Sequence, residues 1–207
     1  VNEEPEPESD EVERELPQIL LLRHLIYRTN NHIYFTCGMS VLTINMLQRL
    51  IEEINEEFKI LNNISQLVQP LEPKPIYLHI NSTGGDMLEA FKIFDFIRRN
   101  PIPIYTVCDG MSASAGSLML LAGARRFITE NSYVLIHQIR ITSPNQLTFD
   151  QASDEHANSK ESMRRMTEMY RKYTKLNKKQ IESALKHDIL WDSKTCIKYG
   201  IADEILQ

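Results

Sequence analysis

DGMSASAGSLML, residues 109–120, sets three serines among glycines and alanines and ends in an apolar run. The preceding IPIYTVC, residues 102–108, is β-branched and aromatic, the composition of a strand. A strand therefore enters a tight turn of small residues, and a helix is expected to leave it near Ser112. Ser114 stands between Ala113 and Ala115, with Gly116 next. Small neighbours let the backbone turn sharply enough to expose a hydroxyl, and the following helix start aims N–H groups at it. The logic is that of a nucleophile elbow, although the Gly-x-Ser-x-Gly pattern is absent. Serines at a helix start read equally well as caps.

The same arrangement occurs once more upstream. PIYLHI (75–80) reads as a strand, NSTGGD (81–86) as a turn and MLEAFKIFDFIRR (87–99) as a helix. Five of the seven glycines fall between Gly84 and Gly123, so these two turns are where the backbone bends sharply or approaches something closely. Strand, turn, helix, repeated, is the rhythm of an α/β domain with right-handed crossovers. Loops after the carboxyl ends of its strands are the usual ligand sites. The Gly84-Gly85 pair suits a phosphate, a carboxylate or a transient oxyanion. NSTGGD lacks both the P-loop lysine and the dinucleotide spacing. Nearer the start, QILLLRHLIY (18–27) and HIYFTCG (32–38) read as strands. The 3.6-residue spacing of Val41, Ile44, Leu47, Leu50, Ile51 and Ile54 predicts a helix, followed from Asn62 to Pro75 by a loop or a helix extension.

A hydroxyl needs a base. Of six histidines, His137 is best placed, because it ends the strand-like SYVLIHQ (132–138) and so reaches the edge where the two turns lie. KHDILWDS (186–193) offers Asp188 and Asp192 as an orienting acid. Asp192 opens a short helix closed by Gly200 and reads as its N-cap, leaving Asp188 freer for the role.

Composition bounds the rest. The 207 residues, 42% hydrophobic and 25% charged, fit one globular domain. Residues 1–16 read as an acidic disordered tail, with eight acids and one arginine in the first fifteen, and 17–207 as the folded domain. The near-neutral body has no basic stripe to bind nucleic acid. With no apolar run of spanning length, no leader-like start and three scattered cysteines, the expectation is a soluble, cytoplasmic protein with free thiols. LTFDQASDEHANSKESMRRMTEMYRKYTKL (147–176) lacks proline and glycine and predicts a helix of about 45 Å, too long for this domain to cover. Core packing accounts only for the later half of its stripe, Met163, Met166, Met169, Tyr170 and Tyr173.

HINSTGGDMLEAFKIFDFI, DGMSASAGSLMLLAGARRFITENSYVLIHQ and HDILWDSKTCIKYGIADEI resemble, in order and spacing, the three signature regions of the Clp protease proteolytic subunit. The resemblance covers about residues 19–206. It implies an α/β fold of repeated ββα units, shared with the crotonases, with a projecting handle over about 140–176. It also implies a serine endopeptidase with Ser114 as nucleophile, His137 as base, Asp188 as orienting acid and the Gly85 and Ala115 N–H groups as the oxyanion hole. No metal or organic cofactor is implied, ATP being used only by a partner AAA+ unfoldase. Polypeptide substrates would be cut inside stacked heptameric rings, a tetradecamer serving protein quality control. The alternative is a catalytically silent structural subunit of a mixed ring. The chain departs from the family pattern after Gln138, where IRITSPNQ replaces a proline and a glycine pair, and at His187, where the family has arginine.

Overall fold

The computed structural model describes residues 20–65, 71–140 and 146–206, so the acidic tail expected over 1–16 lies outside the described residues. Residues 20–25 form a helix, α1, which corrects the expected strand over 18–27. Strand β1 begins only at Ile26 (Ile26–Thr29) and pairs antiparallel with β2 (His32–Phe35) through Asn30, whose φ of 56° closes the two-residue turn. β2 offers only four partners. The leucine-rich segment before Ile26 has no strand to join and takes the helix its side chains favour.

Helix α2 (Val41–Ser65) buries Ile44, Leu47, Ile51 and Ile54 and leaves Val41 exposed; of the stretch from Asn62 to Pro75 it takes in residues up to Ser65, while 71–75 are loop. β3 (Ile76–Ser82) leads into α3 (Met87–Arg99), capped by Asp86, whose carboxylate accepts the Leu88 and Glu89 N–H groups at 2.7 and 3.2 Å. β4 (Ile104–Ala113) leads into α4 (Ala115–Leu121), and β5 (Arg125–Thr129) and β6 (Tyr133–Leu135) follow. Two capped helices, α5 (Phe149–Tyr173) and α6 (Lys178–Ala184), then precede β7 (Leu190–Trp191), α7 (Ser193–Tyr199) and β8 (Glu204–Leu206). The sheet runs β1-β2-β3-β4-β5-β8, parallel from β2 onward.

One irregularity in β4 decides what the sheet can carry. Opposite β3, Cys108 pairs with Ile80 but Ser112 with Ser82, so β4 gains two residues at Asp109 and Gly110. Before this bulge β4 pairs with β5; after it Met111–Ala113 pair with β6 instead. Gly110 holds φ +110°, and a Cβ there would meet the Asn81 side chain at 3.0 Å. The second pairing also keeps Ser112 in the strand, so α4 starts at Ala115 and not near Ser112 as expected.

Alternate residues of the sheet bury Ile33, Phe35, Ile76, Leu78, Ile80 and Ile104 among the helices. The other face carries a stack of rings, half-buried Tyr34 on His79 and His32 on Tyr77, and exposed Tyr27 on Tyr34. In α5 the division falls where the stripe predicts. Met166 and Tyr170 are buried and Met163, Met169 and Tyr173 pack against the core, whereas most side chains of 149–162 are exposed. At 25 residues the helix is about 37 Å long. Among the described residues, no helix is long and apolar enough to cross a membrane.

Candidate active site

Cross-strand register assembles the site. Ala113 of β4 lies beside Leu135 of β6, and Leu135 opposite Leu190 of antiparallel β7. Ser114 is one residue beyond this row. His137 is two residues past Leu135, and Asp188 is two residues before Leu190 on a strand of opposite direction, so all three leave the row toward one edge. Segments distant in the sequence thereby converge.

Ser114 has φ 54° and ψ −124°, an arrangement worth about 1–3 kcal/mol of strain in a residue with a side chain. Its N–H donates to the Leu135 carbonyl at 2.8 Å, and its carbonyl accepts the Ser117 N–H at 3.0 Å. The Ser117 hydroxyl donates to the same carbonyl at 2.6 Å and is itself hydrogen-bonded, at 2.6 Å, to the hydroxyl of fully buried Tyr170. Helix α5 thus braces the turn from below. The Ser114 side chain makes no capping bond to α4. Its hydroxyl is left for other chemistry, which separates it from an ordinary serine cap.

The Gly84-Gly85 turn is pressed against this elbow. A Cβ on Gly84, which has φ +93°, would meet the Ala113 carbonyl oxygen at 2.7 Å, Ser114 Cβ at 2.8 Å and Ala115 N at 2.9 Å. The turn is anchored to Met39, whose N–H donates to the Gly84 carbonyl at 2.8 Å and whose carbonyl accepts from Asp86 at 3.0 Å. Met39 thus faces Gly85 in a parallel bridge whose two hydrogen bonds run to Gly84 and Asp86, on either side of it. Among the described residues, neither the Gly85 nor the Ala115 N–H has a backbone acceptor. The Ala115 N–H follows Ser114 directly in the chain, and the Gly85 N–H belongs to the turn whose Gly84 packs on Ser114.

The His137 side chain is 11% exposed, and its Nδ1 lies 3.6 Å from Asp188 Oδ1, beyond a hydrogen bond. Burial lowers the imidazole pKa, Arg140 lowers it further, and Asp188 opposes both. The site therefore favours neutral imidazole, the form that accepts a proton. Asp188 Oδ2 accepts from Arg140 at 2.8 Å. Asp192 instead caps α7, accepting the Thr195 N–H at 2.8 Å, which agrees with its expected role. The three cysteines are free and offer no rival nucleophile, because burial pushes the thiols of Cys37 and Cys108 up to about 11 and that of Cys196 to about 12.

Two contributors escape the sequence reading. Tyr170 reads there as one member of an apolar stripe; only its hydroxyl, which needs a partner when buried, hints at more. Arg140 carries no signal beyond being a cation three residues after His137.

The Clp protease family matches residues 39–207 of the chain. The ATP-dependent Clp protease proteolytic subunit 2 of Treponema denticola is 34% identical, over 74% of this chain and 78% of that protein. The match takes in the whole Ser114, His137 and Asp188 neighbourhood and both glycine-bearing turns, and the chain belongs to the Clp protease family, as a ClpP-type peptidase.

Proposed function

We propose that the chain is a serine endopeptidase in which Ser114, His137 and Asp188 form the triad. His137 takes the Ser114 proton as Oγ bonds to a peptide carbonyl carbon, and the carbonyl oxygen gathers the negative charge. The Gly85 and Ala115 N–H groups receive that oxyanion, each donor being worth roughly 3 kcal/mol of barrier. As the tetrahedral species collapses, the C–N bond breaks and His137 returns the proton to the leaving amine. Water, deprotonated by His137, then releases the acyl group from Ser114. The scheme calls for no metal or organic cofactor.

The observation that carries this reading is the strained, uncapped Ser114, with the Gly84-Gly85 turn packed against it and the Ala115 N–H next to it. A cleft of about 680 Å³ between α3 and α5 is lined by Met87, Leu88 and Phe91 on one side and by polar α5 residues such as Asn158 and Ser162 on the other. Asp86, next to Gly85, and Ile139, two residues after His137, reach its edge, which supports a polypeptide substrate. Assembly into stacked heptameric rings, fed by an AAA+ unfoldase that spends the ATP, is supported by exposed apolar groups that a lone chain leaves uncovered. Leu88 is 70% and Phe149 88% exposed. A cytoplasmic role in protein quality control belongs to the same reading.

One observation favours the silent-subunit reading: the 3.6 Å gap between His137 and Asp188, whose carboxylate is held by Arg140. Labelling the purified chain with a fluorophosphonate, followed by peptide mapping with Ser114→Ala as control, decides between them. An adduct confined to Ser114 is expected; assembled protein that takes up no label is a structural subunit.

A further inference from the structure

We propose that Arg140 is a positioning residue of the triad, competing with His137 for the Asp188 carboxylate, so that the site is held back until that bond is released. The inference rests on the peptidase reading above. Each Asp188 oxygen faces one claimant. Oδ2 accepts the Arg140 guanidinium at 2.8 Å, and Oδ1 stands 3.6 Å from His137 Nδ1. The second separation is too long for the bond that would fix the imidazole tautomer. The carboxylate is turned to the guanidinium at the expense of the imidazole.

The two segments are held at this spacing by the backbone, since Gln138 N–H donates to the Leu185 carbonyl at 2.9 Å. The extended stretch through His137 and Arg140 therefore lies beside the residues leading to Asp188. The Arg140 bond itself is exposed, with side chains 70% and 57% accessible for Arg140 and Asp188. An ion pair so open to water is weak and easily exchanged, which suits a contact that must yield.

Charge adds to geometry. When His137 takes the Ser114 proton it becomes a cation, and the charged groups that act on it are Asp188, which stabilises that form, and Arg140, which opposes it. A guanidinium bound to the orienting acid therefore acts twice, once by holding the carboxylate and once by repelling the imidazolium. Arg140 lies in the segment where the sequence departs from the family's proline and glycine pair, so the device belongs to this chain's own residues.

Arg140→Gln and Arg140→Lys in the full chain test this with two independent readouts. One is the rate of fluorophosphonate acylation at Ser114 against pH, over about pH 5 to 9; the other is the imidazole titration of His137 by NMR. Gln is expected to raise the plateau acylation rate about threefold to fivefold, the range an exposed ion pair can supply. It is also expected to move the His137 midpoint upward. Lys keeps the charge and is expected to leave that midpoint where the parent chain has it. Because Arg140 is exposed, neither change disturbs the core. An unmoved His137 midpoint in Arg140→Gln, or slower acylation with the label still on Ser114, overturns the proposal. A chain that labels Ser114 in no variant overturns the peptidase reading instead, while the titration still reports which group Asp188 serves.

Discussion

The link between α5 and the elbow makes an unusual stability prediction. Tyr170 is fully buried, and among the described residues its hydroxyl meets only Ser117 Oγ, at 2.6 Å. Ser117→Ala removes a small side chain but leaves the tyrosine hydroxyl dry and unpaired, at about 1–3 kcal/mol, and deletes the bond to the Ser114 carbonyl. Tyr170→Phe removes the hydroxyl itself, so it loses one neutral hydrogen bond, about 1 kcal/mol, and strands little. In the double variant both polar groups are gone and no orphan remains. It is expected to be more stable than Ser117→Ala alone, with a coupling of about 1–2 kcal/mol between the sites. For a chain of this length 1 kcal/mol is about 2–4 °C, so the double variant should melt several degrees above Ser117→Ala. The assay is thermal unfolding followed by circular dichroism, at one protein concentration because assembly shifts apparent stability. Additive losses, within about 0.5 kcal/mol, would refute the argument that the buried hydroxyls depend on each other.

The two strained positions of the site give opposite outcomes. Gly84→Ala drives a Cβ into the Ala113 carbonyl, Ser114 and Ala115 N at 2.7–2.9 Å, and all three neighbours belong to the elbow. It should cost at least about 1–3 kcal/mol and suppress Ser114 labelling in protein that is still folded by circular dichroism. Ser114→Gly relieves a φ of 54° that Ser114→Ala retains. Urea unfolding should find Ser114→Gly the more stable of these two variants by about 1 kcal/mol, the relief of strain outweighing glycine's extra chain entropy.

The elements and the triad candidates were legible because they rest on local signals. Strands are marked by β-branched and aromatic runs, as over Ile76–Ile80 and Ile104–Cys108, and turns by where glycines cluster. Asp192 could be set aside as a cap because capping is decided within four residues, and the Thr195 N–H bond bears this out. Misreadings arose where pairing overrode composition. Leu20, Leu21 and Leu22 look strand-forming, yet β2 ends at Phe35 and leaves them no partner. Ser112 looks like a helix start, yet β6 arrives from twenty-two residues downstream and holds it in β4.

The bulge in β4 shows why the constellation could be anticipated while its state could not. A regular strand would pair with β5 along its whole length, and Ala113 would have no β6 beside it. Two extra residues at Asp109 and Gly110 pass β4 from one neighbour to the next, and β6 then ends beside Ala113, two residues before His137. β7 completes the row in the antiparallel sense, so Asp188 leaves on the same side as His137, although 50 residues separate them. A slip of β7 by one residue would turn its side chains to the other face and carry Asp188 away, so the register is part of the chemistry. What register does not fix is the rotation of an exposed carboxylate at the end of that strand. Its orientation is settled by whichever cation or imidazole reaches it, over energies of about 1 kcal/mol that no strand pattern records. The fold brings Asp188 within 3.6 Å of His137, and side chains as exposed as Arg140 decide whether the two bond.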